Sequence, residues 1–361
     1  MPPKKFVLVT LDYPPETGGV ARYLSDLVEA AAGEIRVIVP ETHAIEEKNL
    51  VTAKPMFWSA KPRWWPMVGL FRSLSKEKEI ALVSHVFPVG TAALIGRLLG
   101  GPEYIVLFHG LDLKLVNSWR KKFLLSLIVR FAKGIATNSQ ATAELLEDKL
   151  GKKPSVILVL TPGIKPRELL SKKEAREQLG IPQGKFVVLT VARFVPRKGI
   201  DATIQVIAEL QKTRNVQYVV IGSGTDRGRL MDMAKQVRVD VTWASTDEQE
   251  KWTWYAACDA FCMPAREQAD DIEGFGIVYL EAALAEKPSI AGNTGGAREA
   301  VVDQETGFIV DATRLDEIAK ALKNLLDQPE LSEKIGKQAK IRVLRDFRWE
   351  QRWEKLEKLR R

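Results

Sequence analysis

Residues 5–40, KFVLVTLDYPPETGGVARYLSDLVEAAAGEIRVIVP, decide the fold. KFVLVTL at 5–11 is an apolar run of strand length, and IRVIVP at 35–40 is a second one. Between them the loop DYPPETGG leads into helical spacing from Val20 to Ala32. Strand, glycine-containing loop, helix and strand make a βαβ unit, and a succession of such units builds a parallel sheet with right-handed crossovers.

The same alternation continues outward. IALVSHV (80–86), YIVLFHG (104–110), GIATNS (134–139) and VILVLTP (156–162) read as further strands with helical stretches among them. Residues 1–163 are therefore expected to form one doubly wound domain. TPGIKPRELLSKKEAREQLG (161–180) carries two prolines and no strand signal, which suits a linker running into a helix. A second series follows: KFVVLTVAR, VQYVVIGSG, VDVTW, DAFCMPA, KPSIAG and GFIVD, with helical patterns such as DATIQVIAELQKT between several of them. The expected class is α/β with two Rossmann-like doubly wound domains, 1–163 and 164–345, and a charged C-terminal helix over 346–361.

Bulk composition agrees. A chain of 361 residues suits two domains of roughly 150 to 180 residues each. Hydrophobic residues make up 45% and charged ones 28%, as in soluble proteins with a sizeable core. The net charge of +8 favours anionic partners: nucleotide phosphates, nucleic acid or an acidic membrane surface. No nucleic-acid-binding module is present, so nucleic acid is not expected as a partner. Two cysteines, Cys258 and Cys262, cannot staple a framework; they read as small buried side chains, and the cytoplasm is the expected compartment. No run approaches the roughly 20 apolar residues of a membrane span. The apolar run after Lys4 and Lys5 stops at Asp12, as a strand does and a signal peptide does not.

The sharpest chemical signal is REQADDIEGFGIVYLEAALAEKP (266–288), where seven residues separate Glu273 from Glu281. Glu273 precedes a Gly-Phe-Gly turn that opens a helix. Backbone N–H groups of Phe275, Gly276 and Ile277 at that start would face an anion. Glu273 beside them is an acceptor for sugar hydroxyls, and Glu281, about two turns on, is within reach of a ribose diol. The plainer reading is a capping acid followed by an exposed glutamate. In VARFVPRKGID (191–201), Arg193 and Lys198 follow a strand and precede a helix. A guanidinium fork and an ammonium point charge suit a diphosphate, against the alternative of a solvated basic loop. Gly18 and Gly19, in the first βα loop, would let a backbone approach a ligand at a helix N-terminus, or simply make a tight turn. His109 ends the strand YIVLF, where doubly wound sheets hold ligands. His85 is a similar but weaker candidate, and His43 reads as surface. GSGTDRG (222–228), with Asp240 downstream, imitates a dinucleotide fingerprint and keeps a nicotinamide-dependent dehydrogenase as a rival. A nucleotide-sugar epimerase and a non-catalytic binding protein are the others.

Taken in order, PPETGGVARYL, HGLDL, VARFVPRKGID, IGSG, YAACDAFCMPA, EGFGIVYLEAALAEKPSIAG, GGAREAV and TGFIV resemble the retaining family-4 glycosyltransferases of the GT-B fold over nearly the whole chain. ARFVPRKGID and the segment from Arg266 to Leu280 look most like the phosphatidylinositol mannosyltransferases. The resemblance implies two domains facing across a cleft, acceptor on the N-terminal and nucleotide sugar on the C-terminal one, with the last helix returning to the first domain. It implies that Gly19 contacts donor phosphate or acceptor and that His109 lies beside the transferring sugar. Arg193 and Lys198 would hold the diphosphate, with Gly222 nearby. Glu273 would bind sugar hydroxyls with the backbone from Gly274 to Gly276, and Glu281 the ribose. The co-substrate implied is a nucleotide diphosphate sugar, GDP-sugar favoured and UDP-sugar open, with mannose the favoured hexose. Two departures bear on base preference. The family's Asn-Gly-Val-Asp linker is here Thr161-Pro162-Gly163-Ile164, and Val241 to Ser245 lacks the usual glycine of the base-binding loop.

Breaking a sugar–phosphate bond places negative charge on the departing diphosphate. Fixed cations preorganised for that charge lower the barrier. The only adjacent acid pair near the site, Asp270-Asp271, is loop-borne, so no metal or other cofactor is expected. One further segment points to a partner. From Lys54 to Glu79 there are six basic and two acidic residues, interleaved with Met56, Phe57, Trp58, Trp64, Trp65, Met67, Leu70 and Phe71. Aromatic rings beside cations suit an anionic membrane interface and a lipid-linked acceptor. Trp119 to Lys133 would widen that surface, giving a peripheral position on the inner face of the cell membrane. The bland alternative packs Trp64 and Trp65 on the sheet, leaving a soluble sugar acceptor.

Overall fold

A computed structural model describes residues 5–16, 18–42, 50–154, 156–244, 247–268 and 272–360. His43, Asp270 and Asp271 lie outside the described residues. The chain divides into two compact units, Met1–Gly163 with Phe347–Arg361, and Ile164–Asp346.

The first unit holds a seven-stranded parallel sheet of β1 (Phe6–Val9), β2 (Ile35–Pro40), β3 (Val51–Lys54), β4 (Ile80–Val83), β5 (Tyr104–Phe108), β6 (Gly134–Thr137) and β7 (Ile157–Val159). Their order is β3-β2-β1-β4-β5-β6-β7. β1 pairs in register with both β2 and β4, Val9 opposite Ile38 on one side and Val83 on the other. Phe6 to Val9 are wholly buried on both faces, which is why the strand reads as a continuous apolar run rather than an alternating one. Each such side chain contributes about 1.5 to 3 kcal/mol by leaving water. β3, an edge strand VTAK, had no distinct signal in the sequence.

The second unit repeats the plan with β8 (Phe186–Val191), β9 (Val216–Ile221), β10 (Val241–Ala244), β11 (Ala260–Met263), β12 (Ser289–Gly292) and β13 (Gly307–Val310), ordered β10-β9-β8-β11-β12-β13. In both sheets the winding direction reverses beside the first strand, between β1 and β4 and between β8 and β11. Loops leaving neighbouring strands there diverge to opposite faces and open a crevice, the usual ligand position of such folds.

The helix Trp349–Glu357 belongs to the first unit, packed on the helix Gly19–Ala30. Trp353 meets Phe6 edge-to-face at 5.8 Å, and Trp349 meets Tyr23 at 5.2 Å. Arg352, almost fully buried, donates to the Thr161 hydroxyl at 2.7 Å and to its carbonyl at 3.2 Å. Thr161, in the departure from the family's linker, is thereby a fastening point for the C-terminal helix. No helix among the described residues is long and apolar enough to cross a membrane. Cys258 and Cys262 are buried and free.

Candidate functional site

In the second unit the loop after β8 is pinned before it reaches any ligand. Phe194 N–H donates to the Ser223 carbonyl at 2.7 Å, and Asp226 N–H to the Phe194 carbonyl at 3.1 Å. Gly222 sits in this contact with φ of 146°, and a Cβ there would lie 1.9 Å from the Ala192 carbonyl oxygen. The glycine loop GSG thus has a packing reason: two βα loops cross where only a hydrogen fits.

A short turn at Pro196–Lys198 then directs two cations inward. Glu273 meets them: its Oε2 accepts from Arg197 at 2.6 Å and from Lys198 at 2.5 Å, all three side chains buried. Burial alone would push the Glu273 carboxyl up, but the Lys198 and Arg197 charges more than reverse this and hold it at about 2. No side chain among the described residues occupies the other oxygen, Oε1. Glu273 is fixed through its backbone too. Its carbonyl accepts from Gly296 N at 2.9 Å, and Gly295, φ of 52°, lies so close that a Cβ would stand 2.1 Å from that oxygen. The motif GGAREAV is therefore a clamp on Glu273. Arg193, by contrast, is exposed and has no ion pair or side-chain hydrogen bond among the described residues, while its charge still reaches Lys198.

The helix Ile277–Leu284 begins at Gly276 with φ of 86°, no side-chain cap and no acid in its first turn. A carboxylate near that end is Glu273, three residues before Gly276, and its charge is engaged by Arg197 and Lys198. Gly274 and Ile277 are half-buried there, and Phe275 is buried. Glu281 keeps different company: Oε1 accepts from Lys251 at 3.2 Å and Oε2 from the Tyr255 hydroxyl at 2.8 Å. A ribose diol at Glu281 would share the carboxylate with these partners, since each oxygen can accept a further hydrogen bond.

In the first unit, Gly18 and Gly19 start the helix Gly19–Ala30 without a side-chain cap. A Cβ at either would meet nothing within 4 Å, so no packing demands glycine there. His109 ends β5, buried, its Nε2 without a partner and its ring 5.1 Å from Tyr23. Burial, and then the nearby His85 charge, push it down to about 3, so it is neutral near pH 7. His109 N–H donates to Asp112 Oδ2 at 3.0 Å, and burial pushes that carboxyl up to about 6. His85, at the end of β4, joins them: Nδ1 lies 2.8 Å from Ser84 Oγ and Nε2 lies 3.2 Å from Asp12 Oδ2. Ser84 Oγ donates onward to Thr10 Oγ1 at 2.7 Å. These groups occupy the switch point between β1 and β4.

Each unit therefore gathers its own set at the carboxyl ends of its strands: Lys198 with Glu273 in one, His109 with Asp112 in the other. Arg197 was missed in the sequence although it adjoins Lys198; two cations in a row leave open which of them turns inward. Asp112 and Lys251 carried no signal, and His85 was undervalued because its partner Asp12 is 73 residues away.

Two family models cover the chain in order: Glycosyltransferase Family 4 over residues 17–168 and Glycosyl transferases group 1 over residues 171–342. It is 28% identical, over 98% of its length and 97% of the other's, to a GDP-mannose-dependent monoacylated alpha-(1-6)-phosphatidylinositol monomannoside mannosyltransferase of Corynebacterium glutamicum. At the same identity and coverage it resembles a GDP-mannose-dependent alpha-(1-6)-phosphatidylinositol monomannoside mannosyltransferase of Mycolicibacterium smegmatis. Among solved structures, Anabaena HepE in complex with UDP shares the fold with a TM-score of 0.85, at 18% identity over 98% of both chains. Two doubly wound sheets, an acid held by paired cations at the second switch point, and family models matched in sequence order place the chain among the glycosyltransferases of family 4 with the GT-B fold.

Proposed function

We propose that this glycosyltransferase moves a mannosyl residue from GDP-mannose, with retention at the anomeric carbon, to a hydroxyl of a phosphoinositol-type glycolipid. The observation that carries the reading is the arrangement at the second switch point, where Glu273 is held by Arg197 and Lys198 with exposed Arg193 alongside. Both relatives named above use GDP-mannose on phosphatidylinositol mannosides. In this reading residues 164–345 bind the donor and 1–163 the acceptor.

Arg193, Lys198 and the uncapped helix start from Gly274 to Ile277 take the diphosphate, and Glu273 Oε1 takes a sugar hydroxyl. As the bond from C1 to the phosphate oxygen breaks, GDP leaves with the electron pair and the fixed cations meet its growing charge. The acceptor hydroxyl attacks from the same face and passes its proton to the departing phosphate. His109, neutral, would not compete for that proton, and a Cβ at Gly18 or Gly19 would meet nothing within 4 Å, which leaves room there for a phosphate or acceptor group. No metal is required, because side-chain cations supply the charge; turnover should survive saturating EDTA, and a loss restored by Mg²⁺ would overturn this part.

The lipid acceptor implies contact with a membrane surface. Between Lys54 and Glu79 the apolar residues divide. Met56, Met67 and Phe71 are core, and Trp64 and Leu70 pack partly against it. Phe57, Trp58 and Trp65 are exposed, as are Trp119 and Phe123, near Lys61, Arg63, Arg120, Lys121 and Lys122 in sequence. Exposed rings among cations suit an anionic interface. Mass-spectrometric assay of GDP-mannose, UDP-glucose and ADP-glucose against monomannosylated phosphatidylinositol in vesicles tests the whole reading. Mannosyl transfer to the lipid is expected. Transfer only to a soluble disaccharide, or only from another donor, would overturn it.

A further inference from the structure

A large recess of the second unit lies away from the residues discussed so far. It encloses about 1190 Å³ and is bounded by Phe186, Asn215, Asp259 and Lys287, which stand at or just before the starts of β8, β9, β11 and β12. This is the amino-terminal edge of the sheet, about 20 Å from its carboxyl edge, since β8 is six residues long and a strand rises about 3.3 Å per residue.

One wall is strongly and unevenly charged. Lys287 is buried and has no hydrogen-bond or ion-pair partner for its ammonium among the described residues. Among the charges acting on it are Lys172, Arg176 and the acid Asp259, which is already bonded to the other two, while Glu333, also on the lining, acts on Lys172. Asp259 Oδ2 accepts from Arg176 at 2.6 Å and from Val187 N at 2.6 Å, and Oδ1 accepts from Lys172. Lys287 is thus left without a carboxylate bonded to it among the described residues. Lys287 is also held in place: its N–H donates to the Ala282 carbonyl at 2.9 Å, and preceding Glu286 has φ of 58°. An uncompensated buried cation costs several kcal/mol, so a fixed one opening on a large recess calls for an anion. The lining also includes the apolar residues Leu170, Leu284, Leu325 and Leu326.

We propose that this recess is a second anion site that binds a phosphate monoester, the dianion against Lys287 and Lys172 and the organic body against the leucines. A phosphate would give the Lys287 ammonium the acidic partner that Asp259, bonded to Lys172 and Arg176, does not supply, and the volume exceeds what inorganic phosphate would fill. The site is independent of donor binding, and the inference stands whether or not the mannosyl reading does.

The test measures binding of glucose 6-phosphate and inorganic phosphate by titration calorimetry, at fixed ionic strength, to wild type, Lys287→Met and Arg193→Ala. Wild type and Arg193→Ala should bind alike, glucose 6-phosphate more tightly than phosphate. Lys287→Met should bind about tenfold or more weakly, the scale of one charged hydrogen bond. Its unfolding midpoint without ligand should equal or exceed that of wild type, because an unpaired buried charge is gone. Equal binding by Lys287→Met, loss of binding in Arg193→Ala, or no binding of either probe would overturn the proposal. A lower midpoint for Lys287→Met would do so too, by showing that Lys287 only compensates the end of the preceding helix.

Discussion

The carboxyl ends of the two sheets treat buried charge in opposite ways. At β8 and β11 the second unit offsets desolvation by pairing: Lys198 and Arg197 hold the Glu273 carboxyl ionised, while burial works against the Lys198 charge that Glu273 supports. At β1, β4 and β5 burial works against charge instead, with His109 pushed down to about 3 and Asp112 pushed up to about 6, so that His109 is neutral near pH 7 while Asp112 loses its charge only on mild acidification. The difference teaches what each end would do in the proposed reaction. Fixed cations would stabilise a leaving diphosphate, whereas the neutral His109, its Nε2 unpartnered, would offer a hydrogen bond to an uncharged acceptor without attracting the donor's phosphates.

Breaking the charged end should have the largest effect. Glu273→Gln keeps the shape of the side chain but leaves Arg197 and Lys198 buried and unneutralised. A loss of about 3 to 5 kcal/mol in urea-unfolding stability is expected. A loss below about 1 kcal/mol would mean that the triad relaxes to solvent, and the contrast between the two ends would fail.

Arg193 sharpens the comparison within the charged end, because it is exposed and unpaired. Arg193→Ala should lower turnover by about 10² to 10³-fold, as for loss of one charge-stabilising donor. Stability should stay within about 0.5 kcal/mol of wild type, as for surface substitutions generally. Unchanged turnover would remove Arg193 from the donor site.

The neutral end is tested by pH, where two opposed signs give the smallest expected effect. His109 is neutral when folded, down to about pH 3, but in the unfolded chain it takes up a proton below about 6.5, so acid costs stability. Asp112 acts oppositely: folded, it is protonated below about 6, and unfolded only below about 4, so over that window acid adds stability. Between about pH 6 and pH 4 the two contributions cancel, and their sum should be flat. Asp112→Asn should expose the histidine slope, with stability falling about 1 kcal/mol per pH unit as pH drops; His109→Asn should expose the opposite slope. Parallel pH profiles for both variants would show that burial shifts neither group in the folded state.

Much of this was legible in the chain itself because its cause is local. Apolar runs such as FVLV and FVVLTV are buried on both faces, so the strands announce themselves, and repeated βα alternation fixes a parallel doubly wound class. Glu273 and Lys198 were also legible as candidates, since each sits at a strand-to-helix junction. Tertiary structure alone decided how those residues are partnered. Which of Arg197 and Lys198 turns inward depends on the position of Glu273, 76 and 75 residues on, and both do. That Gly222 and Gly295 serve loop crossings, while Gly18 and Gly19 face open space, depends on backbones distant in sequence. The division of residues 54–79 into core and exposed rings was likewise settled by packing against the sheet. Sequence fixes which groups the chain carries and the period at which it presents them; burial and pairing, which set charge state and reactivity, arise only where distant segments meet.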